Sequence, residues 1–261
     1  MKNDFKLDYD WKELKNIYEE RALKISKSTQ SKQSRLSRKH EVIIKVIDKY
    51  FTDCSMILDA GCGTGPYTAH LAKRQNNKVY AIDISFEIIK QTKIRIKNEN
   101  NQDESNMVNA NLEKLPFKNE AFEGIVCSQV IEHLLKDMDG FDELQRVLKK
   151  DGLMVFSTDN KRNYISRILA IPVNIYKKII KYKGEEWEYY HGEYNIEDLS
   201  EILKQKGFSI KEEFTFRVAN PISSKNVKIA DILTEIVEKI LIKLPIIKNY
   251  GDIVVFVCKK N

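Results

Sequence analysis

The segment 58–65, Leu-Asp-Ala-Gly-Cys-Gly-Thr-Gly, decides the fold of this chain. It continues the short apolar run 56–60 and leads into a helical pattern that starts at Pro66. Alternate glycines let the backbone turn sharply and let a ligand approach it without meeting a Cβ. In open α/β sheets, ligands bind beyond the carboxyl ends of the strands. The segment therefore predicts a ligand-binding loop between a first strand and a helix.

Short apolar runs alternate with helical patterns on both sides of this loop. Strands are predicted at residues 56–60, 78–84, 106–111, 124–130, 153–158, 208–216 and 252–258. Helices are predicted at residues 66–74, after Ser85, at 141–149, after Asn195 and at 229–244. Such alternation implies right-handed crossovers and a parallel sheet that is covered on both faces. We therefore predict an α/β fold, Rossmann-like and doubly wound, with a sheet of seven mostly parallel strands.

Composition divides the chain into four regions. Residues 1–40 are predicted to form a helical N-terminal extension, 41–160 the ligand-binding core, 161–190 an insertion, and 191–261 the C-terminal part of the same domain. The net charge is +6, and residues 161–183 contain seven Lys or Arg residues and no acidic residue. The insertion also has an apolar stripe at helical spacing. It is a candidate helical lid that covers a substrate or rests on a membrane surface, with a helix pair packed on the body as the alternative.

The four cysteines, Cys54, Cys62, Cys127 and Cys258, form no CxxC pair. A disulfide framework and a structural zinc site are therefore not expected. Residues 1–10 contain no apolar stretch of the kind found in secretory signals. Together these features predict a cytoplasmic protein with reduced thiols.

The spacing of the glycines bears on the ligand. Dinucleotide loops follow the pattern GxGxxG, but Pro66 occupies the position of the third glycine, and the loop reads GxGxG. Asp59 would repel a pyrophosphate, whereas it can help to order a cationic amino group. Asp83 ends the second strand, where a carboxylate can accept hydrogen bonds from two ribose hydroxyls, and Ile84 can lie against an adenine. These features favour an adenosyl ligand without phosphates, with NAD(P) as the alternative.

Four blocks in this order resemble the class I S-adenosylmethionine-dependent methyltransferases, in particular the group that acts on quinones, lipids and other small molecules. The blocks are 58–65, 81–83 (Ala-Ile-Asp), 111–117 (Asn-Leu-Glu-Lys-Leu-Pro-Phe) and 122–134 (Phe-Glu-Gly-Ile-Val-Cys-Ser-Gln-Val-Ile-Glu-His-Leu), with a weaker match at 195–208. Together they are specific for the fold and for S-adenosylmethionine as the cofactor. They say little about the methyl acceptor.

The resemblance implies a set of cofactor-binding residues. These are Asp59, Gly61, Cys62, Gly63, Asp83, Ile84, Asn111, Leu112 and Ser128. Gly61 and Gly63 would line the methionine and ribose portions of the cofactor, with Asp59 behind them. Asp83 would bind the ribose diol.

The adenine end departs from the family pattern. Asn111 stands where the family usually has an acid that accepts a hydrogen bond from the adenine amino group. An amide oxygen can still accept that bond. The resemblance also places the N–H of Leu112 opposite an adenine ring nitrogen and Ser128 near the methionine end.

Two histidines are the candidates for chemistry. His133 follows Glu132 after the fourth strand and is a candidate general base or substrate contact, although a Glu-His pair at this point can also be structural. His191 lies before the Asn195 helix and could reach a substrate cleft. Similar quinone-type O-methyltransferases carry an acid three residues before the Glu-His pair that helps to bind a metal. Gln129 stands there in this chain, so no metal site is expected.

These features predict an enzyme that transfers a methyl group from S-adenosylmethionine to a small-molecule or lipid-like acceptor, with oxygen as the predicted acceptor atom. Residues 161–183 would provide any peripheral membrane contact. Three alternatives stay open: an RNA methyltransferase, an NAD(P)-dependent oxidoreductase, and a binding protein that keeps the fold without transfer. The sequence disfavours nucleic acid because it lacks an Asn-Pro-Pro-Tyr-type block after the fourth strand, yet its basic segments could track phosphates.

Overall fold

The structure, a computed structural model, describes residues 11–29, 38–100, 106–162, 192, 194–216 and 249–261. Most of the predicted lid insertion, His191 and the predicted helix 229–244 lie outside these residues. The division of the chain into four regions therefore stays a prediction.

Six helices lie within the described residues. They are α1 (Trp11–Thr29), α2 (Arg38–Tyr50), α3 (Pro66–Ala72), α4 (Phe86–Asn100), α5 (Asp137–Val147) and α6 (Ile196–Gln205), with a 3₁₀ turn at Ile131–His133. The N–H of Ile88 donates to the Oγ of Ser85 at 3.2 Å. Ser85 therefore caps α4, as its position before the helical pattern predicts.

Seven strands form one sheet. They are β1 (Met56–Ala60), β2 (Lys78–Asp83), β3 (Asn106–Asn109), β4 (Phe122–Ser128), β5 (Leu148–Asp159), β6 (Phe208–Phe216) and β7 (Ile253–Lys260). Their order is β3-β2-β1-β4-β5-β7-β6. All neighbours are parallel except β7, which is antiparallel to both β5 and β6. The prediction of seven mostly parallel strands in a Rossmann-like sheet is confirmed.

Several strand boundaries differ from the prediction: β4 is shifted to Phe122–Ser128 from the predicted 124–130, β2 and β7 differ by one or two residues, and β3 and β5 differ mainly at one end. β3 ends at Asn109, two residues early, so that Asn111 lies in the following turn. β5 begins at Leu148 rather than at residue 153, because Leu148 already pairs with Phe122 of β4 ahead of a bulge. Hydrophobic pattern alone misses the early start, since the strand opens with the charged residues Lys149, Lys150 and Asp151.

The strand order reverses between β1 and β4, with β2 and β3 on one side and β5 on the other. A crevice opens at such a switch point, beyond the carboxyl ends of the strands. The glycine loop follows β1, Asp83 ends β2 and Gln129 follows β4. The topology therefore brings these three parts of the sequence to one edge of the sheet.

Apolar side chains on the two faces of the sheet form two separate cores. On one face, Ile57 and Val126 pack in a cluster with Ile43 and Ile47 of α2. On the other face, the cluster contains strand residues such as Phe156 together with α5 and α6 side chains. Alternate residues of each central strand thus enter opposite cores, which fixes the register of the sheet and the position of the loops at its edge.

Candidate functional site

A cleft of about 410 Å³ lies beyond the carboxyl ends of the central strands. Its size is within the range of small-molecule sites, roughly 300–1,000 Å³. One end is bounded by Asp83, Ile84 and the turn 110–112 after β3, and the other by Gln129, His133 and Asp159 after β4 and β5. The glycine loop follows β1, which lies between β2 and β4 in the sheet, and residues of α1 also line the cleft.

The glycine loop leaves open space at one position only among Gly61, Gly63 and Gly65. A Cβ on Gly61 would lie 2.3 Å from Cγ2 of Val130, and a Cβ on Gly65 would lie 2.4 Å from Cγ2 of Thr92. A Cβ on Gly63 would meet nothing within 4 Å. All three residues have positive φ, between 53° and 76°. Gly61 and Gly65 are therefore needed for packing, whereas Gly63 exposes its backbone to the cleft.

Asp83 lies at the centre of the cofactor end. Its Oδ2 accepts a hydrogen bond from the N–H of Gly63 at 3.1 Å, and its Oδ1 accepts from the N–H of Ser85 at 2.9 Å. Burial raises the pKa of Asp83 to about 6, against the lowering effect of these backbone donors. Each oxygen keeps a lone pair, so the carboxylate can still accept hydrogen bonds from two neighbouring hydroxyls.

The turn after β3 forms the adenine end of the predicted site. Ile84, Ala110, Asn111 and Leu112 all line the cleft. The Oδ1 of Asn111 accepts a hydrogen bond from the N–H of Glu113 at 2.8 Å, which fixes the turn and leaves one lone pair on that oxygen. The structure therefore brings these residues close to Asp83, as the sequence predicts, and their role in cofactor binding stays a prediction.

Three of the predicted cofactor residues do not line the cleft. Asp59 is 1% exposed and accepts a hydrogen bond from Oγ1 of Thr68 at 2.5 Å, and its burial raises its pKa to about 7. The side chain of Cys62 packs under the loop among apolar residues. The Oγ of Ser128 lies 2.8 Å from Oγ of Ser157 and 3.2 Å from the hydroxyl of Tyr67. These side chains are therefore not among those that line the cleft, and their role in cofactor binding stays a prediction.

The far end of the cleft carries a different set of polar groups. Gln129 has a left-handed backbone, φ 59°, and its buried Nε2 has no hydrogen-bond partner among the described residues. His133 ends the 3₁₀ turn, and its ring lies edge-on to that of Tyr18 with centroids 6.0 Å apart. Glu132 is fully buried and accepts a hydrogen bond from Oγ1 of Thr158 at 2.9 Å. Asp159 lines the same region at the end of β5.

Sequence reasoning missed the contribution of α1. Five α1 residues line the cleft: Trp11, Leu14, Tyr18, Arg21 and Ala22. Their spacing of three and four residues is the signal that marks one helix face, and it could have been read from the sequence. Arg21 and Lys39 bring positive charge to a cleft whose other charged residues include Asp83, Glu132 and Asp159.

No helix in the described part of the chain is long and apolar enough to cross a membrane.

Comparisons with known proteins agree with this geometry. Residues 58–156 match the family described as a methyltransferase domain. The uncharacterized protein MJ1252 of Methanocaldococcus jannaschii is 26% identical over 259 residues, which cover 95% of this chain and 90% of that relative. The malonyl-[acyl-carrier protein] O-methyltransferase of Methylovorus sp. (strain MP688) is 36% identical over 107 residues, or 39% of this chain and 36% of the relative.

A solved structure shows the same fold. The magnesium protoporphyrin IX methyltransferase of Synechocystis PCC 6803, with bound SAH, is 13% identical and has a TM-score of 0.59. The match covers 97% of this chain and 100% of the other. At this identity the similarity concerns the fold and not the substrate.

Proposed function

We propose that this chain, whose residues 58–156 match the methyltransferase-domain family, transfers the methyl group of S-adenosylmethionine to an oxygen of a small-molecule or lipid-like acceptor. The observation that carries the proposal is the two-ended cleft. One end combines the carboxylate of Asp83 with apolar side chains that an adenosyl group could contact, and the other end has the polar groups of Gln129, His133 and Asp159 for an acceptor.

The cofactor end fits the parts of S-adenosylmethionine one by one. The open backbone at Gly63 admits the ligand, and Asp83 can accept from the ribose diol. Ile84 and Leu112 offer apolar contact for the adenine, with Asn111 as the acceptor for its amino group. Arg21 and Lys39 are the arginine and lysine residues that line the cleft within the described part of the chain, so we assign the cofactor carboxylate to them.

At the acceptor end, the protein aligns the nucleophile and excludes water. When bound, the cofactor supplies a methyl group on a sulfonium, which is a good leaving group. In-line placement of an oxygen can therefore carry much of the rate. If that oxygen belongs to a hydroxyl, a base is needed, and the candidates at this end are His133 and Asp159, with the buried Glu132 beside them. Gln129 can donate from Nε2 to an oxygen of the acceptor.

The acceptor atom is proposed on two grounds. A relative with 36% identity over its matched region is named as an O-methyltransferase, although that match covers 36% of its length. The acceptor end also lacks the amine-binding Asn-Pro-Pro-Tyr-type block, since Cys-Ser-Gln-Val stands at 127–130. A lipid-like acceptor, membrane contact through 161–183 and a cytoplasmic location are further parts of this proposal.

Calorimetric titration with S-adenosylmethionine, S-adenosylhomocysteine and NADH is the first test. We expect the two adenosyl compounds to bind and NADH not to bind. In the Asp83→Ala variant, both affinities should fall by about tenfold or more, because a carboxylate that accepts from two hydroxyls is lost. Binding of NADH alone would overturn the cofactor assignment.

Turnover then tests the acceptor. S-adenosylhomocysteine release is measured with malonyl-coenzyme A, a prenylated hydroxyquinone and bulk tRNA as separate acceptors, and with none as the control. We expect release with an oxygen-bearing small molecule. Methylation of tRNA alone would make the RNA alternative correct, and cofactor binding with no turnover on small molecules, tRNA or a cell extract would favour the binding-protein alternative.

A further inference from the structure

Helix α1 crosses the cleft and is buried against it. Leu14 and Ala22 on its inner face are 1% and 0% exposed, and Trp11, Tyr18 and Arg21 line the same cleft. The same cleft is lined at its adenosyl end by Ile84, Ile88 and the turn 110–112, and at its other end the ring of Tyr18 lies edge-on to that of His133. A ligand in the cleft is therefore enclosed between α1 and the sheet edge.

One carboxylate joins α1 to the start of α4. The N–H of Phe86 donates to Oε1 of Glu19 at 2.6 Å. The Oγ of Ser85 and the N–H of Glu87 donate to Oε2 of Glu19 at 2.8 and 3.1 Å. Backbone N–H groups in the first turn of a helix have no partner within the helix, so a carboxylate from another element satisfies them.

Local residues cap only part of the start of α4, since the N–H groups of Phe86 and Glu87 donate to Glu19. Ser85 already accepts from the N–H of Ile88, and Glu87 supplies a negative charge to the first turn of α4. What Glu19 adds is a long-range connection of 66 to 68 residues along the chain. Although burial opposes it, hydrogen bonding from Ser85, Phe86 and Glu87 lowers the pKa of Glu19 below its ordinary value, which keeps the carboxylate charged at neutral pH.

Further contacts hold α1 along its length. Nε2 of Gln91, one turn farther along α4, donates to the carbonyl of Ala22 at 3.0 Å. Near the other end of α1, the side chain of Trp11 is hydrogen-bonded to Glu113 in the turn after β3. α1 is thus attached on both sides of the adenosyl end, to α4 and to the turn 110–113.

Glu19 also acts on the ribose-binding carboxylate through Ser85. The side chain of Ser85 is bonded to Glu19, while its backbone N–H is bonded to Oδ1 of Asp83. Any movement of Glu19 away from α4 therefore loosens the turn that orients Asp83. Ser85 therefore takes part both in the contact that holds α1 on α4 and in the contact that orients Asp83.

We propose that α1 is a strap that must open for the cofactor to enter and leave, and that Glu19 is the positioning residue that holds it closed. This inference depends on the cofactor and not on the acceptor. Cofactor binding and cofactor release both require the strap to open. Glu19 therefore affects the rates of these two steps more than the affinity for the cofactor.

The test uses Glu19→Gln, with Glu20→Gln as the matched control. Glu20 is the next residue of α1, is exposed, and loses the same charge on substitution. Association and dissociation of S-adenosylhomocysteine are followed by stopped-flow tryptophan fluorescence in a Trp187→Phe background, so that Trp11 in the cleft is the reporter. We expect both rates to rise by about tenfold in Glu19→Gln, the size expected for loss of hydrogen bonds to a charged group, and to stay unchanged in Glu20→Gln.

A structural role alone gives a different result. If Glu19→Gln lowers the melting temperature and leaves both rates at the wild-type values, the strap proposal is wrong. Should that variant not fold, amide hydrogen exchange of the wild-type chain decides: S-adenosylhomocysteine should slow exchange across 11–23 by about tenfold, and no slowing would overturn the proposal. Both of these negative results can occur while the wild-type chain still binds the cofactor and turns over an acceptor. They are therefore distinguishable from failure of the proposed function.

Discussion

At the residue scale, the glycines of the loop have unequal tasks. A Cβ at Gly61 would overlap Val130 and a Cβ at Gly65 would overlap Thr92, whereas a Cβ at Gly63 would enter open space. All have backbones in the left-handed region, where a Cβ adds strain. A substitution at Gly61 should therefore disturb the packing of the fold, whereas the same substitution at Gly63 should disturb ligand binding.

We expect Gly61→Ala and Gly63→Ala to separate stability from binding. Gly61→Ala should lower the free energy of unfolding by about 2–4 kcal/mol, because the new methyl overlaps Val130 on a left-handed backbone. Gly63→Ala should cost about 1 kcal/mol and weaken S-adenosylhomocysteine binding at least tenfold. Urea unfolding and calorimetry measure the two effects, and equal losses of stability would contradict the assignment of the Gly61 contact.

Asp59 makes a pH-dependent contribution to stability. Burial raises the pKa of Asp59 to about 7, well above the value near 4 of an unfolded aspartate. Because the folded state binds this proton more tightly, the stabilisation is fully present below about pH 4 and is lost as the pH rises through about 7.

Asp59→Asn removes this titration and keeps an oxygen that can accept from Thr68. Between pH 5.5 and 8, the wild-type chain should lose about 2 kcal/mol of unfolding free energy relative to the variant. The measurement is urea unfolding of the cofactor-free proteins at both pH values. A difference that does not change with pH would show that Asp59 is ionised in the fold throughout this range.

At the scale of elements, α4 links the two halves of the cofactor end. At its N-terminus, Ser85 accepts a hydrogen bond from the N–H of Ile88 and donates one to Glu19 of α1. Farther along the helix, Oγ1 of Thr92 donates to the carbonyl of Gly63 at 2.7 Å and so supports the glycine loop. The position of α4 therefore controls both the loop and the strap.

Ser85→Ala should reveal this double connection. It removes the acceptor for the Ile88 N–H and the donor to Glu19, so we expect a loss of about 1–2 kcal/mol in unfolding free energy. Faster S-adenosylhomocysteine release should accompany it. Ser200→Ala at a surface hydrogen bond to Glu213 is the control, and it should change neither quantity. Equal effects of the two substitutions would argue against a special role of the α4 start.

At the scale of the whole molecule, the two ends of the described chain differ in importance. The C-terminal strand β7 lies between β5 and β6 and pairs with both, although it is last in the chain. Helix α1 packs on α4 and on the cleft without entering the sheet.

Two truncations follow from this arrangement. Removal of 253–261 should abolish cooperative unfolding, because β6 loses its sheet neighbour and six consecutive fully or nearly fully buried residues, Ile253–Cys258, are lost from the core. Removal of 1–29 should leave a folded sheet with weaker cofactor binding. Circular dichroism melting and calorimetry distinguish the two, and a folded chain without β7 would contradict the observed strand order.

Four features could be predicted from the sequence: the seven-stranded sheet, the glycine loop, the position of Asp83 at a strand end and the cap at Ser85. Each of these depends on local pattern: alternation of apolar residues, glycines with left-handed backbones, or a side chain within three residues of its partner. The prediction that the cofactor is S-adenosylmethionine came from four sequence blocks that resemble one methyltransferase family and occur together in the same order.

The tertiary structure alone decided which of these residues face the cleft. It left Asp59, Cys62 and Ser128 outside the lining of the cleft, and it brought α1 to the cleft through contacts between residues more than 60 positions apart. It also inserted β7 between β5 and β6. No local pattern encodes such choices, since they depend on which buried surfaces and hydrogen-bonding groups can be satisfied together when distant segments meet.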